Sequence, residues 1–418
     1  MDDSDNLYSI GHFQGSPSFD AIRLTSAGQT DVFVTKLDSQ AHVLWAVALG
    51  GPGADEGRGI AAASSGDVYA TGTFSGTVDF DPGPGRTELT SAGGSDAFLL
   101  RLSPKGELVW ARRFGGPQGD VGLRVAVSPD AVWATGSFQG TMDAVPGLTS
   151  AGKRDAFLAK LDLEGHLLWA RRIGGPKDDE GSGVAASRNG EVWVAGNFAE
   201  TPSLGPEAGG LDMASAGRTD VFLLRLDATG RLLWSGRLGG AKDDVCEGLA
   251  ATIAGGAAVI GEFSETMDGD PGPSSLSLAS HGSTDAFLVR VDGTGRLVWA
   301  KGFGEEGPDL GTAVAGDRFG SVYAAGHLDR RHGGSMAWVA EHSDSGERAW
   351  SVGLQATGGL QALGITANAH GTATVAGSFK GETKELREAG AARVPGFGKS
   401  DAFVWRLAPP TSPARTRP

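Results

Sequence analysis

A short phrase, Asp-Ala/Val-Phe followed by mostly apolar residues, recurs along the whole 418-residue chain and constrains its fold more than any other feature. Successive copies lie 59 to 65 residues apart, except for one gap of 116 residues that holds a weaker copy starting at Met336. The six clear copies begin at Asp31, Asp96, Asp155, Asp220, Asp285 and Asp401. A repeat of this period indicates one supersecondary unit present seven times, rather than several unrelated domains.

Each repeat contains the pattern of four short strands. Within residues 59–114 the segments GIAAAS, VYATGTF, DAFLLRL and ELVWARRFGG are separated by two tight turns and one long excursion. Alternating side chains and glycine-containing turns are typical of antiparallel hairpins. Long helices are disfavoured, because 68 residues are glycine and each one inside a helix costs about 1 kcal/mol relative to alanine.

Four-stranded antiparallel sheets repeated around an axis form a β-propeller. The sequence therefore predicts an all-β, seven-bladed β-propeller with blades of about 60–65 residues. A linear β-solenoid is the alternative, and the tight turns favour the propeller. The first strands are rich in Gly, Ala, Val and Thr, which predicts that they lie nearest the axis. Each fourth strand carries a tryptophan, which we expect to pack between neighbouring blades (Trp45, Trp110, Trp169, Trp234, Trp299 and Trp350).

The strand count is 26, two fewer than the 28 of seven full blades. The chain starts in a second strand and its last repeat stops after a third, which predicts incomplete blades at the seam. Either two three-stranded blades meet there, or upstream residues have been lost. We expect a single propeller domain over residues 1–408 and a Pro-rich, disordered tail over residues 409–418.

The segment DAFLLRLSPKGELVWARRFGGPQGDVG and strands such as GEVWVAGNF resemble the bacterial β-propeller repeat family known as the SBBP repeat. This resemblance covers nearly the whole chain and weakens between Phe319 and Leu354. It implies a secreted or cell-surface bacterial repeat protein, in the extracellular space or cell envelope, and it supplies no catalytic residues. No signal peptide is visible at the N-terminus. The segments LDATGRLLW and VDGTGRLVW also resemble the tryptophan-docking repeats of quinone-dependent dehydrogenase propellers. This likeness concerns blade packing only and does not imply that a quinone is bound.

Charge and composition exclude several classes of partner. The chain has 36 Lys and Arg against 50 Asp and Glu, a net charge of −14, and such a field repels DNA and RNA. No apolar run reaches the 18 or so residues of a membrane span.

Cys246 is the single cysteine and can form no intrachain disulfide; we expect it to be buried and inert. A monomer is expected.

The second-to-third and fourth-to-first connections, here called the long loops, should project from one face, which we predict to be the binding face. Asp79 and Asp81 in DFDPGPG, and Asp268 and Asp270 in DGDPGP, are candidate calcium ligands, because calcium prefers several oxygen ligands on a bent loop. The alternative is that Asp-Pro-Gly only makes a stable turn. The loop GGPKDDEG, with Asp178, Asp179 and Glu180, is a lesser calcium candidate and is expected instead to be a solvated, inert turn. The histidines are expected on the surface or rim.

The Asp that opens each third strand is predicted to be structural, accepting hydrogen bonds from backbone amides of the preceding Ser-Ala-Gly loop. Two classes of function remain. The first is a non-catalytic binding or scaffold module that presents acidic, Gly-rich loops to a protein or glycan. The alternative is a lyase or hydrolase with its site near the central opening at the degenerate sixth repeat. There Arg330, Arg331 and His332 form a candidate anion site.

Overall fold

The computed structural model describes residues 1–143, 145–187, 189–203, 213–330, 334–368, 370–386, 393–394 and 401–407. Their regular secondary structure is β-strand, apart from one 3₁₀ turn at Ile253–Gly255. They fall into two compact units, Met1–Leu238 and Gly239–Pro418, which are described separately. No described helix has the length and apolar character needed to cross a lipid bilayer.

The first unit contains four antiparallel blades. Blade 1 has three strands, Leu7–Phe13, Asp31–Leu37 and Val43–Leu49. Blade 2 comprises Glu56–Ala62, Val68–Phe74, Asp96–Leu102 and Leu108–Phe114, and blade 3 comprises Val121–Val127, Val132–Thr141, Thr149–Leu161 and Leu167–Ile173. Blade 4 comprises Glu180–Ala186, Val192–Phe198, Asp220–Leu226 and Leu232–Gly240, whose last residues belong to the second unit. Two short hairpins, Ser18–Phe19 with Ile22–Arg23 and Thr77–Asp79 with Glu88–Thr90, lie in the long loops.

The second unit contains three further blades. Blade 5 comprises Asp244–Ala251, Ala257–Phe263, Asp285–Val291 and Leu297–Phe303, and blade 6 comprises Asp309–Gly316, Val322–Arg330, Gly334–His342 and Arg348–Ala356. Blade 7 has three strands, Leu360–Ala367, Ala373–Phe379 and Asp401–Leu407. The long loops here hold the hairpins Thr266–Asp268 with Ser277–Ala279 and Thr383–Leu386 with Arg393–Val394. The fold class is therefore that of an all-β, seven-bladed β-propeller, which confirms the prediction, including the two three-stranded blades.

The small residues of the first strands are explained by close approach between blades. Within each unit the first strands of neighbouring blades contact each other. A Cβ atom added to Gly59 in blade 2 would lie 2.7 Å from the carbonyl oxygen of Leu123 in blade 3. Side chains larger than Gly, Ala or Val would therefore separate the innermost strands of adjacent blades.

Four of the fourth-strand tryptophans dock onto the next blade, as predicted, whereas Trp350 donates to Glu341 Oε2 of its own blade. The Trp110 indole donates a hydrogen bond of 2.9 Å to the carbonyl oxygen of Leu163, in the third-to-fourth turn of blade 3. Its ring packs on Gly165, where an added Cβ would lie 2.7 Å from the ring and where φ is +82°. Arg101 donates to the same Leu163 carbonyl at 2.9 Å. Equivalent indole bonds join Trp45 to Pro104, Trp169 to Ala228 and Trp299 to Asp344.

His342 departs from the repeat and from the prediction that the histidines lie on the surface. It ends the third strand of blade 6, where blade 2 has Leu102, and it is 0% exposed. Neither ring nitrogen has a hydrogen-bond partner in the described part of the chain. Burial lowers the pKa of His342 to about 4, with Lys301 and Arg348 adding to the effect. The imidazole is therefore neutral in the folded protein at neutral pH.

Candidate functional site

The long-loop regions of blades 1 to 5 are each held by a buried carboxylate at the start of the third strand, here called the strand anchor. Asp96 is 0% exposed, and its Oδ2 accepts a hydrogen bond of 3.1 Å from the backbone amide of Ala92. The same bond, to the amide four residues earlier, is made by Asp31, Asp155, Asp220 and Asp285. These contacts confirm the structural role predicted for this repeated Asp.

A second buried carboxylate follows each of these five strand anchors, is here called the loop anchor, and was not recognised as a repeat from the sequence. Asp179 accepts hydrogen bonds from the backbone amides of Gly175 at 2.7 Å and Ala199 at 3.1 Å. It therefore ties the fourth-to-first connection to the end of the second strand. The loop anchors are Asp55, Asp120, Asp179, Asp244 and Asp309. Asp179 is only 1% exposed, so the prediction of a solvated turn is wrong for this residue.

A constant spacing could have revealed the loop anchors, because each one lies 24 residues after its strand anchor. Within blades 2 and 3 the two anchors meet across a glycine. A Cβ atom on Gly115 would lie 2.5 Å from the Asp96 carboxyl carbon and 2.8 Å from Asp120 Oδ2. Gly174 has the same position between Asp155 and Asp179. The glycine is required there because any side chain would displace a carboxylate.

Burial raises the pKa values of these paired carboxyl groups. The pKa of Asp179 is raised to about 7, against the opposing hydrogen bonds from Gly175 and Ala199, and the Asp155 charge adds to the rise. Burial likewise raises the pKa of Asp120, Asp155 and Asp220 to about 6. The long-loop regions therefore contain several carboxyl groups that take up protons near neutral pH.

We expect the protein to be more stable at pH 6 than at pH 8. A carboxyl group whose pKa is raised on folding binds more protons in the folded state, so its stabilising contribution is lost as pH rises through about 6 to 7. His342 acts in the opposite direction, because its lowered pKa removes stability as pH falls below about 6.5. Thermal unfolding from pH 5 to pH 9 tests this, with Asp179→Asn expected to flatten the loss above pH 6. A stability that rises steadily from pH 6 to pH 8 would contradict the assignment.

Arginines from the fourth strands bridge strand anchors to the neighbouring blade. Arg113 contacts Asp96 Oδ2 at 2.7 Å in its own blade and Asp143 Oδ2 at 3.3 Å in blade 3. Arg172 contacts Asp155 Oδ2 at 3.5 Å and donates to Ser203 Oγ in blade 4 at 3.0 Å. These arginines join adjacent blades on the long-loop side of the first unit.

Blade 1 lacks this bridge. Ala48 pairs with Phe33 in the register in which Arg113 pairs with Phe98. Burial raises the pKa of the Asp31 carboxyl group, and the opposing interactions are backbone hydrogen bonds from Ala27 and Gly28 rather than a basic side chain.

Ala48→Arg is expected to raise the free energy of unfolding at pH 8 by about 1 kcal/mol, the scale of a charge-assisted hydrogen bond. The gain should be smaller at pH 4, because the raised pKa of Asp31 means that much of its charge is lost there. Ala48→Gln is the uncharged control. Chemical denaturation of the three proteins at both pH values measures the effect, and an equal gain from the two substitutions would contradict the electrostatic explanation.

Six blades have a first strand, and a β-bulge interrupts each of these strands at the equivalent position. In blade 2 the register shifts between Gly57 and Gly59, which leaves Arg58 as the extra residue. The bulge residue lies three positions after the loop anchor wherever that anchor is Asp. The bulge residues are Arg58, Leu123 and Ser182 in the first unit, and Glu247, Thr312 and Leu363 in the second. Bulges of this kind redirect a side chain without ending the sheet.

Two of the three bulge residues of the first unit, Arg58 and Ser182, are charged or polar. Arg58 forms an ion pair with Glu56 at 2.5 Å, and its side chain is 46% exposed. Asn197 Nδ2 donates to Ser182 Oγ at 3.1 Å. The second unit has a different character, because burial raises the pKa of Glu262 to about 7 and the Glu247 charge adds to the rise. Sequence reasoning missed these positions, because a bulge leaves no composition signal of its own.

The predicted calcium ligands form turns. Asp79 Oδ1 accepts from the amides of Asp81 at 3.1 Å and Thr87 at 2.9 Å, and Asp81 Oδ1 accepts from Gly83 at 2.8 Å. Asp268 and Asp270 in the second unit make the equivalent bonds. Among the residues that the structure describes, no group of three or more His, Cys, Asp or Glu side chains is arranged to hold a metal ion. Calcium binding at these residues stays a prediction.

Two further predictions concern Cys246 and the sixth blade. Cys246 is buried and 1% exposed, as predicted. Arg330 ends the strand Val322–Arg330, but its side chain lies outside the described residues, as do Arg331 and His332. The candidate anion site at these three residues is therefore a prediction on which the structure gives no geometry.

Comparisons with known proteins give distant relatives. No family model matches the chain. It is 29% identical over 233 residues to the regulatory protein FlaEY of Caulobacter vibrioides, covering 52% of this chain and 24% of that protein. It is 22% identical over 366 residues to an uncharacterized WD repeat-containing protein of Acanthamoeba polyphaga mimivirus, covering 73% of this chain and 26% of that protein. The chain spans about a quarter of the length of both relatives.

Solved structures with a similar fold include a puromycin hydrolase and a glucose dehydrogenase. The first is 12% identical with a TM-score of 0.44, covering 94% of this chain and 52% of that one. The second is 14% identical with a TM-score of 0.36, covering 69% of this chain and 91% of that one. Likeness at this level carries no argument about activity.

Proposed function

We propose that this chain is a non-catalytic binding module, in which a β-propeller scaffold presents the long loops and the bulge residues to a protein or glycan partner. The observation that carries the proposal is the bulge itself. It occurs at the same register in six first strands, while the residue placed in it changes from Arg to Leu, Ser, Glu and Thr. A constant scaffold with a variable presented residue is the organisation expected of a recognition surface.

The buried anchors support this division of labour. Strand anchors and loop anchors recur in chemical identity because they hold equivalent backbone amides wherever they occur. The bulge residues recur in position only. Arg58 and Leu363 are exposed to solvent, Leu123, Glu247 and Thr312 are partly exposed, and Ser182 is buried. The loop anchors point inward, so much of the acidity of the long loops serves to hold the loops rather than to contact a partner.

The names of the relatives are consistent with a binding role, since one is called a regulatory protein and the other a WD repeat-containing protein. The resemblance to the SBBP repeat supports a place outside the cell or in the cell envelope, and we propose that the module acts there as a monomer. Calcium at Asp79, Asp81, Asp268 and Asp270 remains part of the proposal. A Tm that EDTA leaves unchanged after calcium loading would remove it.

The proposed function is tested by selecting ligands without bias. The full chain is used to select binders from a random peptide display library and to probe a glycan array. Selected ligands should lose binding to variants in which bulge residues are replaced, such as Arg58→Ala and Thr312→Ala. They should retain binding to Lys105→Ala, which lies in a tight turn between the third and fourth strands of blade 2.

Two results would overturn the proposal. The first is that no ligand is enriched above background by either method. The second is that the enriched ligands are insensitive to every bulge substitution. Chemical turnover of a selected ligand would favour the alternative of a propeller enzyme.

A further inference from the structure

We infer that the outer edge of blade 7 binds an extended strand of another polypeptide, which takes the place of the fourth strand that this blade lacks. In the other six blades a fourth strand pairs with the third strand. The third strand of blade 7, Asp401–Leu407, pairs with Ala373–Phe379 on one side, and no described strand pairs with its other side. This edge holds none of the bulge residues, so the inference goes beyond the proposed function.

Side chains that are buried in the other blades are exposed in blade 7. Val404 is 36% exposed, whereas the residues at its position in blades 1 to 6 are all 0% exposed (Val34, Leu99, Leu158, Leu223, Leu288 and Val339). Asp401 is partly exposed, although the strand anchors at its position are at most 2% exposed. Blade 7 therefore presents an apolar strand with an edge open to pairing, which is the kind of surface to which an extended peptide adds.

The sequence after this strand does not have the fourth-strand pattern. Residues 408–418 read APPTSPARTRP, with four prolines and no tryptophan, and proline cannot donate a ladder hydrogen bond. A second copy of the chain has no fourth strand to offer either, because all six are paired within their own blades. Both points favour a different polypeptide as the occupant of the edge.

Trp405 selects a small residue in the incoming strand. At its position the other blades have Thr, Leu, Ala or Val, and the residue opposite in the fourth strand is always Ala or Ser (Ala46, Ala111, Ala170, Ser235, Ala300 and Ser351). Directly opposite side chains of an antiparallel pair are close neighbours. The larger indole of Trp405 leaves less room there, so we expect the partner to place Gly, Ala or Ser at this point.

Asp401 selects a basic residue two positions further along the incoming strand. In blade 2, Arg113 lies opposite Phe98 and its guanidinium group contacts the strand anchor Asp96 at 2.7 Å. Phe403 and Asp401 have the equivalent places in blade 7. An arginine on the incoming strand would therefore meet the partly exposed Asp401 carboxylate. The partner is expected to be an extended, largely apolar segment with a small residue followed two positions later by arginine.

The fourth strand of blade 2, as a labelled synthetic peptide of sequence GELVWARRFGG, is the probe, and fluorescence anisotropy measures its binding to the full chain. Wild-type protein should bind this peptide about tenfold more tightly than its Ala111→Pro version, the scale of losing one or two ladder hydrogen bonds. The Arg113→Gln version of the peptide should bind about threefold more weakly, the scale of one partly exposed ion pair.

Two protein variants and one measurement on the wild type locate the binding. Val404→Lys should weaken binding of the peptide about tenfold, because the added strand would cover a charged side chain. Val298→Lys is the matched control, since this valine is 42% exposed on the outer strand of blade 5 and should leave binding unchanged. Thermal unfolding checks that both variants are folded. In the wild type, the amides of Asp401–Leu407 should exchange hydrogen more slowly when the peptide is bound.

Four results would overturn the inference. They are equal binding of the peptide and its Ala111→Pro version, equal losses from Val404→Lys and Val298→Lys, unchanged hydrogen exchange in Asp401–Leu407, and loss of peptide binding on Arg58→Ala, which would place the peptide at the bulge residues. A concentration-dependent dimer that Val404→Lys abolishes would also overturn it, because a second copy would then cover the edge. None of these results removes the proposed function, which is tested with other ligands at the bulge residues.

Discussion

Replacing Trp110 by alanine is expected to lower the free energy of unfolding by about 3–5 kcal/mol, the range for large buried aromatic side chains. The indole is 7% exposed, packs against the next blade and donates to the Leu163 carbonyl. Its loss would leave a cavity between two blades and remove a hydrogen bond. Equilibrium denaturation in guanidinium chloride measures the change, and a loss below about 1 kcal/mol would contradict the docking role.

The glycine against which the Trp110 ring packs can be tested with a matched pair of substitutions. Gly165→Ala and Gly147→Ala both place a Cβ at a positive φ, +82° and +81°. Only Gly165 faces a tryptophan ring, whereas nothing lies within 4 Å of the Cβ position at Gly147. We expect Gly165→Ala to be more destabilising by about 1–3 kcal/mol, the usual effect of forcing an extra carbon into a packed contact. Equal losses would show that backbone strain alone explains the glycine.

Asp179→Ala is the second substitution with a large expected effect. It leaves the backbone amides of Gly175 and Ala199 without their acceptor, and an unpaired buried polar group costs about 1–3 kcal/mol. A total loss of about 2–4 kcal/mol at pH 6 is therefore expected.

Asp178→Ala is the control for this substitution. The neighbouring residue has a side chain that is 65% exposed and pairs with the equally exposed Lys153. Its replacement should change stability by no more than about 0.5 kcal/mol. Denaturation of both variants is the measurement, and similar losses for the two would refute the anchoring role of Asp179.

The repeated elements of the fold could be predicted from the sequence because they repeat. Alignment on Asp96 and its equivalents places the third strands correctly, and the tryptophans, the strand anchors and the incomplete blades follow from the same alignment. The loop anchor was missed for a different reason. Taken alone, the segment GGPKDDEG has the composition of a solvated acidic turn. Asp179 accepts one hydrogen bond from the nearby Gly175 amide, but the other comes from Ala199, about 20 residues further along the chain.

The candidate site was harder to predict because it depends on register rather than composition. Arg58 and Leu123 become equivalent only once the pairing partners of the flanking residues are known. His342 shows the converse case, since a histidine among charged neighbours in sequence occupies a leucine position in the core. Its burial follows from the repeat alignment, but the cost of a neutral imidazole without hydrogen bonds is visible only in three dimensions.

Saturation mutagenesis of the whole chain, scored for folded abundance, tests most directly whether scaffold and recognition residues are separate. At the anchors Asp96, Asp120 and Asp179, and at Trp110, most substitutions should deplete the folded protein. The bulge residues Arg58 and Leu123 should accept most polar and apolar side chains at near wild-type abundance. If the bulge positions are as intolerant as the anchors, their variety is not available for recognition and the proposed binding surface is wrong.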